Sequence, residues 1–198
     1  MCDQPLIDGL APATFHQLTA APRRYGWHAT LKAPFSLAQG VSETALRIGL
    51  GYLAQSLFTF DMPALQVTRP GDFLALTPSG DSANINAVAN ACVTGLHPFA
   101  AALGDTDLQR RRTAGLTARQ DALLVRWGYP YVEEEFRFHC SLTGSLCQLS
   151  ELHIEAVVQA AKAFFVTLPT LRFHTLALFV EPTPVADFML LEHFKLRP

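Results

Sequence analysis

The sequence predicts an α+β protein built as two pseudo-symmetric β-α-β-β lobes, with antiparallel sheets flanking a central cleft. Three observations lead there. The pattern His-x-Thr/Ser-Leu occurs twice, as His28-Ala29-Thr30-Leu31 and His139-Cys140-Ser141-Leu142, 111 residues apart. Each copy lies in a stretch where polar and apolar residues alternate, as in a strand with one face on a core. Each is followed by a helical pattern and then by two strand-like runs. The repeat is one of architecture more than of letters, since only the four-residue motif matches between the halves.

The 198 residues suit a single bilobal domain, with lobe one at about 22–80, connecting helices at about 81–131 and lobe two at about 132–198. A hydrophobic content of 49% against 16% charged residues places the chain in the globular class. The net charge of -2 supplies no general attraction for nucleic acid or an anionic membrane. Any phosphate must therefore be held by local groups, and an extensive nucleic-acid footprint is not expected. Cys2, Cys92, Cys140 and Cys147 form no CxxC pair and no zinc-like spacing, which fits a reduced, cytoplasmic protein. The first residues, with Asp3 and Asp8, do not read as a signal peptide. The apolar run from Thr175 to Val180 is too short to span a bilayer and reads as a buried strand.

Taken in order, residues 1–24 carry Pro5, Pro12 and Pro22 and read mostly as loop, with a helical turn at 12–19. Arg23-Arg24-Tyr25 leads into the first histidine strand, which Pro34 closes. Ser42 is an N-cap for a helix over 42–57, with Leu46, Leu50, Leu53 and Leu57 at helical spacing. Residues 64–69 and 72–77 read as two strands about a Pro70-Gly71 turn. A helix starts near Asp81-Ser82, aligns Ile85, Val88, Ala89, Cys92 and Leu96, and stops at His97-Pro98. Residues 99–116, with Arg110-Arg111-Arg112, are loop or partial helix. Thr117-Ala118-Arg119-Gln120 has capping-box spacing and opens a helix to 127, ended by Gly128 and Pro130. The second histidine strand follows Glu133-Glu134-Glu135. Ser150 caps a helix to about 165 that turns Leu152, Ala156, Ala160, Ala163 and Phe164 inward. A strand at 171–181, a Pro182-Thr183-Pro184 turn and a strand at 187–195 complete the chain.

Alternation puts His28, Thr30 and Lys32 on one face of the first strand, and Arg137, His139, Ser141 and Thr143 on one face of the second. Two imidazoles of near-neutral pKa can hold opposite protonation states at pH 7, as acid and base acting on a phosphoryl group must. Which is which stays open. Thr30 and Ser141 offer hydroxyl donors to phosphate oxygens, and Lys32 and Arg137 offset its charge. Tyr25, Tyr129 and Tyr131 either wall the cleft, stacking on a base if the ligand is a nucleotide, or pack as core. The plainer reading, two strand histidines satisfied by backbone, must explain a motif shared by two of the seven histidines and absent around the other five. Gly49-Leu50-Gly51 lacks the strand and third glycine of a dinucleotide site and reads as helix packing. The three arginines at 110–112 read as a solvated run, with contact to a phosphorylated or RNA ligand as the alternative. Neither histidine motif has an acidic or cysteine partner at ligand spacing, so no metal and no cofactor are expected.

Arg24 to Phe35 and, in the second half, Arg126 to Tyr131 with Glu135 to Gly144 resemble the two-histidine (2H) phosphoesterase superfamily. The resemblance is nearest to the branch encoded beside phosphonate-utilisation (carbon–phosphorus lyase) genes, and it runs from about residue 22 onward. It implies a hydrolase that opens a cyclic phosphodiester, of 2′,3′-cyclic or ribose cyclic phosphate type, without a metal and on a small-molecule phosphate ester or cyclic nucleotide. The alternatives are a non-catalytic module binding a nucleotide or phosphonate intermediate, and an RNA-end-processing protein. A lobe of that family would carry a further strand ahead of the first motif, which residues 1–24 do not offer.

Overall fold

The computed structural model describes residue 7 and residues 9–198; the expectations placed on Cys2, Asp3, Pro5 and Asp8 lie outside the described residues. Short helices Pro12–Leu18 (α1) and Ala20–Arg23 (α2) replace the expected loop with a single turn. Pro12 occupies the first helical position, where its missing N–H is no loss.

Helix α3, Glu43–Ser56, begins where the sequence places it, because the Ser42 hydroxyl accepts from the Ala45 N–H at 3.1 Å. Leu46, Leu50 and Ala54 form its buried stripe. Gly49 is a packing position, since a Cβ built there would run into the Phe99 ring. Gly49→Ala should gain up to about 1 kcal/mol in helix propensity and lose about 1–3 kcal/mol to overpacking, for a net destabilisation readable in urea denaturation.

The strands are β1 (Phe60–Asp61), β2 (Leu65–Thr68), β3 (Ala75–Pro78), β4 (Cys140–Ser141), β5 (Arg172–Phe173), β6 (Thr175–Val180) and β7 (Met189–Lys195). Between them lie α4 (Ala83–Gly95), α5 (Asp105–Arg112), α6 (Ala118–Trp127) and α7 (Glu151–Phe165). Helix α5 settles the question left at 99–116: Asp105 and Asp107 sit in its first turn and the three arginines in its last, both favourable to the helix dipole. The capping box of α6 closes as expected, with Thr117 Oγ1 accepting from the Gln120 N–H at 3.2 Å and Gln120 Oε1 from the Thr117 N–H at 3.1 Å. Gly128, at φ +78, terminates it in the left-handed conformation.

The sheets are small and antiparallel, in the orders β2-β3-β4, β1-β5 and β6-β7. Each of the first two draws on both halves of the chain. The second motif's β4 pairs with the first half's β3 (Leu76 opposite Cys140, Ala75 opposite Ser141), and β1 pairs with β5. Helix α7 packs on β2, and α3 packs on β6 and β7. Helix and motif of one half thus lie on the hairpin of the other, where the sequence reading keeps each β-α-β-β unit to itself. Spacing identifies the elements; which apolar faces mate is decided across a hundred residues.

Three further expectations need correction. Residues 27–33 join no ladder, and the second histidine strand shrinks to β4. Gly26, at φ +70, and Pro34, which lacks an N–H, bracket the first segment, while Arg137 donates to the Glu134 and Phe136 carbonyls, leaving them unavailable for pairing. The run 171–181 breaks at His174 into β5 and β6, which serve different sheets. Helix α7 keeps part of its expected face, with Ala156 and Ala160 packed on the core, but Leu152 and Phe164 are 79% and 70% exposed and the branched residues Ile154 and Val157 are the buried ones.

The core that matters for the site joins the two motifs. Ala29 and Leu31 pack in the same cluster as Phe136, Phe138, Cys140, Leu76 and Ile85. Among the described residues, no helix is long and apolar enough to cross a membrane.

Candidate functional site

The left-handed turn at Gly26 sets the first histidine. His28 is half-buried, and its Nδ1 lies 3.0 Å from the Gly26 carbonyl, which makes Nδ1 the donor and leaves Nε2 without a partner among the described residues. Its ring stacks on Tyr25 at 5.1 Å and 16°, and Tyr25 stacks in turn on Phe188 at 4.6 Å. Arg24 covers both of those rings, at 5.5 and 5.3 Å. Its Nε donates to the Ala186 carbonyl at 2.9 Å and the Val185 carbonyl at 3.2 Å, its guanidinium pairs with Glu181, and its own carbonyl accepts from the Phe188 N–H at 2.9 Å. Arg24 thereby fastens the first motif to the turn between β6 and β7. Sequence reasoning assigned it no role, because its partners are about 160 residues away and no local period marks them.

His139 repeats the local geometry, with Nδ1 2.8 Å from the Arg137 carbonyl and Nε2 again without a partner among the described residues, but it is exposed and its neighbour is the edge of Phe73 at 5.7 Å. His174 makes the same contact to the Arg172 carbonyl at 2.9 Å, so this tether to the residue two positions back is available to other histidines of the chain. Ser141 is half-buried in the ladder opposite Ala75, and Thr30 is exposed. Thr143 is buried and structural, accepting from the Leu74 N–H at 2.9 Å and donating to the Gly144 carbonyl at 2.8 Å.

One cavity of about 1260 Å³ opens beside the first motif and takes Tyr25, His28, Thr30 and Lys32 into its wall. The second motif contributes Phe138 and Cys140 to that wall; His139, Ser141, Arg137, Tyr129 and Tyr131 do not line it. Arg137 spends one guanidinium nitrogen on the two carbonyls named above, at 2.6 and 2.7 Å. Tyr129 and Tyr131 meet edge to face at 5.6 Å, and burial pushes the Tyr129 hydroxyl pKa up.

Lys32 reaches the Val93 carbonyl at 3.4 Å and lies 5.0 Å over the Phe35 ring. Burial lowers its pKa, against a smaller opposing effect of Cys92. The folded state therefore binds this proton less well than the unfolded chain. The resulting cost is present at neutral pH and disappears as pH rises from the folded pKa toward 10.5. Lys32→Met should accordingly raise the melting temperature at pH 7, with an advantage over wild type that shrinks towards pH 10.5. It should also weaken binding of anions in the cavity. Burial pushes the Cys92 thiol up to about 12 and Cys140 up to about 11, so neither supplies a thiolate at neutral pH.

Fold and site together define an α+β protein with exchanged hairpins and a half-buried histidine at one large cavity. The chain belongs to the DUF1045 family, described as protein of unknown function, whose model matches residues 30–189. It is also similar to two curated relatives, both named ribose 1,5-bisphosphate phosphokinase PhnN. The protein from Janthinobacterium sp. (strain Marseille) is 40% identical over 188 residues, 92% of this chain and 41% of the relative. That from Laribacter hongkongensis (strain HLHK9) is 42% identical over 171 residues, 86% of this chain and 39% of the relative. The chain thus spans about two fifths of the length of these relatives. Their name overturns the expected hydrolase class, since a phosphokinase is a transferase.

Proposed function

We propose that the chain is a bilobal two-histidine domain whose cleft binds a small phosphate ester of phosphonate-related metabolism, a cyclic phosphate or a phosphorylated ribose. His28 and His139 exchange protons with its phosphoryl oxygens, and no metal is needed. Thr30 and Ser141 donate to those oxygens, Lys32 and Arg137 offset their charge, and Tyr25, Tyr129 and Tyr131 wall the approach. The observation that carries this reading is the shared core: Ala29 and Leu31 of one motif pack with Phe138 and Cys140 of the other, while the intervening Thr30 and His139 are exposed. Both motifs set apolar residues into one common core and leave Thr30 and His139 outside it.

The relatives' name supports a ribose phosphate as ligand. The chain itself contains no Gly-Lys pair of a phosphate loop, its three lysines following Leu31, Ala161 and Phe194. A reducing, cytoplasmic setting is part of the proposal and is supported by Cys92, Cys140 and Cys147 being free thiols.

The test uses ribose 5-phosphate and a 2′,3′-cyclic nucleotide, followed by calorimetry and by ³¹P NMR. The proposal expects His28→Ala and His139→Ala each to weaken binding about tenfold, the worth of one charge-assisted hydrogen bond, with the melting temperature unchanged. It also expects the ³¹P resonance of one of the two esters to shift on addition of the wild type and to stay in place with either alanine variant. Resonances of both esters left unmoved by the wild type would contradict a phosphate site at the motifs.

A further inference from the structure

Helix α5 ends in three consecutive arginines, and the fold treats them differently. Arg110 pairs with Asp107 at 2.8 Å and is 70% exposed at the side chain. Arg112 grips Asp121 with two nitrogens, at 2.6 and 3.1 Å. Arg111 has neither. Among the described residues its guanidinium meets no carboxylate and no other acceptor, and its Nε is buried without a hydrogen-bond partner. It packs 5.7 Å over the ring of Tyr129. A guanidinium N–H withdrawn from water costs free energy unless an acceptor is supplied, and among the described residues none is supplied to this Nε.

Arg111 lines the same cavity as His28. At about 1260 Å³ that cavity exceeds the usual 300–1,000 Å³ of a small-molecule site, so it has room for two anchoring points on one ligand. Tyr25 stacks on His28 at one place, and Tyr129 lies beneath Arg111 at the other. Three carboxylates share this wall, and each is taken: Glu43 by Arg47, Glu181 by Arg24 and Asp107 by Arg110, which leaves Arg111 free for an incoming anion.

We propose that Arg111 is a second anion subsite of the cavity, so that the ligand carries two separated anionic groups, one at the histidine motifs and a second phosphate or phosphonate on Arg111. This rests on the reading of the histidine motifs as the first phosphate site. The planar fork of Arg111 suits bidentate capture of a phosphoryl group, and Tyr129 holds that fork in place.

The experiment compares fructose 6-phosphate with fructose 1,6-bisphosphate, by calorimetry on the full chain. The wild type should bind the bisphosphate at least tenfold more tightly. Arg111→Gln should abolish that preference, a loss of about ten- to a hundredfold for the bisphosphate, and leave the monophosphate unaffected. Arg111→Lys, which keeps the charge and the packing stem, should restore part of it. His28→Ala should weaken both sugars alike. Equal wild-type affinity for the two sugars, or a preference that survives Arg111→Gln, would overturn the second subsite. If His28→Ala weakens neither sugar while Arg111→Gln still removes the preference, the Arg111 site stands and the histidine reading falls.

Discussion

Leu76→Ala should cost about 3 kcal/mol, within the 2–5 kcal/mol found for truncating a leucine in a closed core, and should release the second histidine motif from its sheet. Leu76 is fully buried on β3, the middle strand of its sheet, with Val67 on one side and Cys140 on the other. Its side chain packs with Phe136 and Phe138, the residues that bracket Arg137 and lead to His139. A cavity there removes the surface on which β4 lies, and β4 has only two residues with which to hold its register. Urea denaturation should show the loss, and amide exchange should show Cys140 and Ser141 deprotected before the β6-β7 pair. A cost below about 1 kcal/mol would mean that the site collapses freely and that β3 does not support the motif.

The second large effect is expected at Arg24. Arg24→Ala removes an ion pair with Glu181, two hydrogen bonds to the β6-β7 turn and the cover over Tyr25 and Phe188. The pair is only partly screened, with the two side chains 24% and 32% exposed, so a loss of about 1–2 kcal/mol is expected after allowing for solvent. The larger consequence is positional. Tyr25 then loses the group that holds it against Phe188, and with it the stack that orients His28. Binding of ribose 5-phosphate should weaken about tenfold in Arg24→Ala, and Arg24→Lys should recover little, because a lysine cannot cover two rings and reach two carbonyls together. Full binding by Arg24→Ala would show that His28 is held without this relay.

Helix starts were legible because their causes are local. Ser42, Thr117 and Ser150 each accept a backbone N–H three residues on, and nothing distant competes. The β2-β3 hairpin was legible as well, but its tight Pro70-Gly71 turn was not: Thr68 pairs with Ala75, and residues 69–74 form a longer connection. Partner choice was not. That β4 lies on the first half's hairpin while Arg24 ties the first motif to the second half's hairpin depends on mating apolar faces far apart in the chain. The face of α7 was partly misjudged because two stripes of similar hydrophobicity lie side by side, and the fold buries the one carrying Ile154 and Val157. The motif histidines stood out through their repeated neighbours. Arg111 had no such signal, being one of three identical residues until the fold pairs off the other two.

In the proposed function the two motifs serve one ligand, although His28 lines the cavity and His139 does not. The most direct measurement follows the imidazole nitrogens of both histidines by ¹H–¹⁵N NMR as ribose 5-phosphate is added. Nε2 of His28 and Nε2 of His139 should shift together with one Kd, and each response should weaken in the alanine variant of the other. A shift at one histidine alone, or two unrelated binding constants, would contradict it.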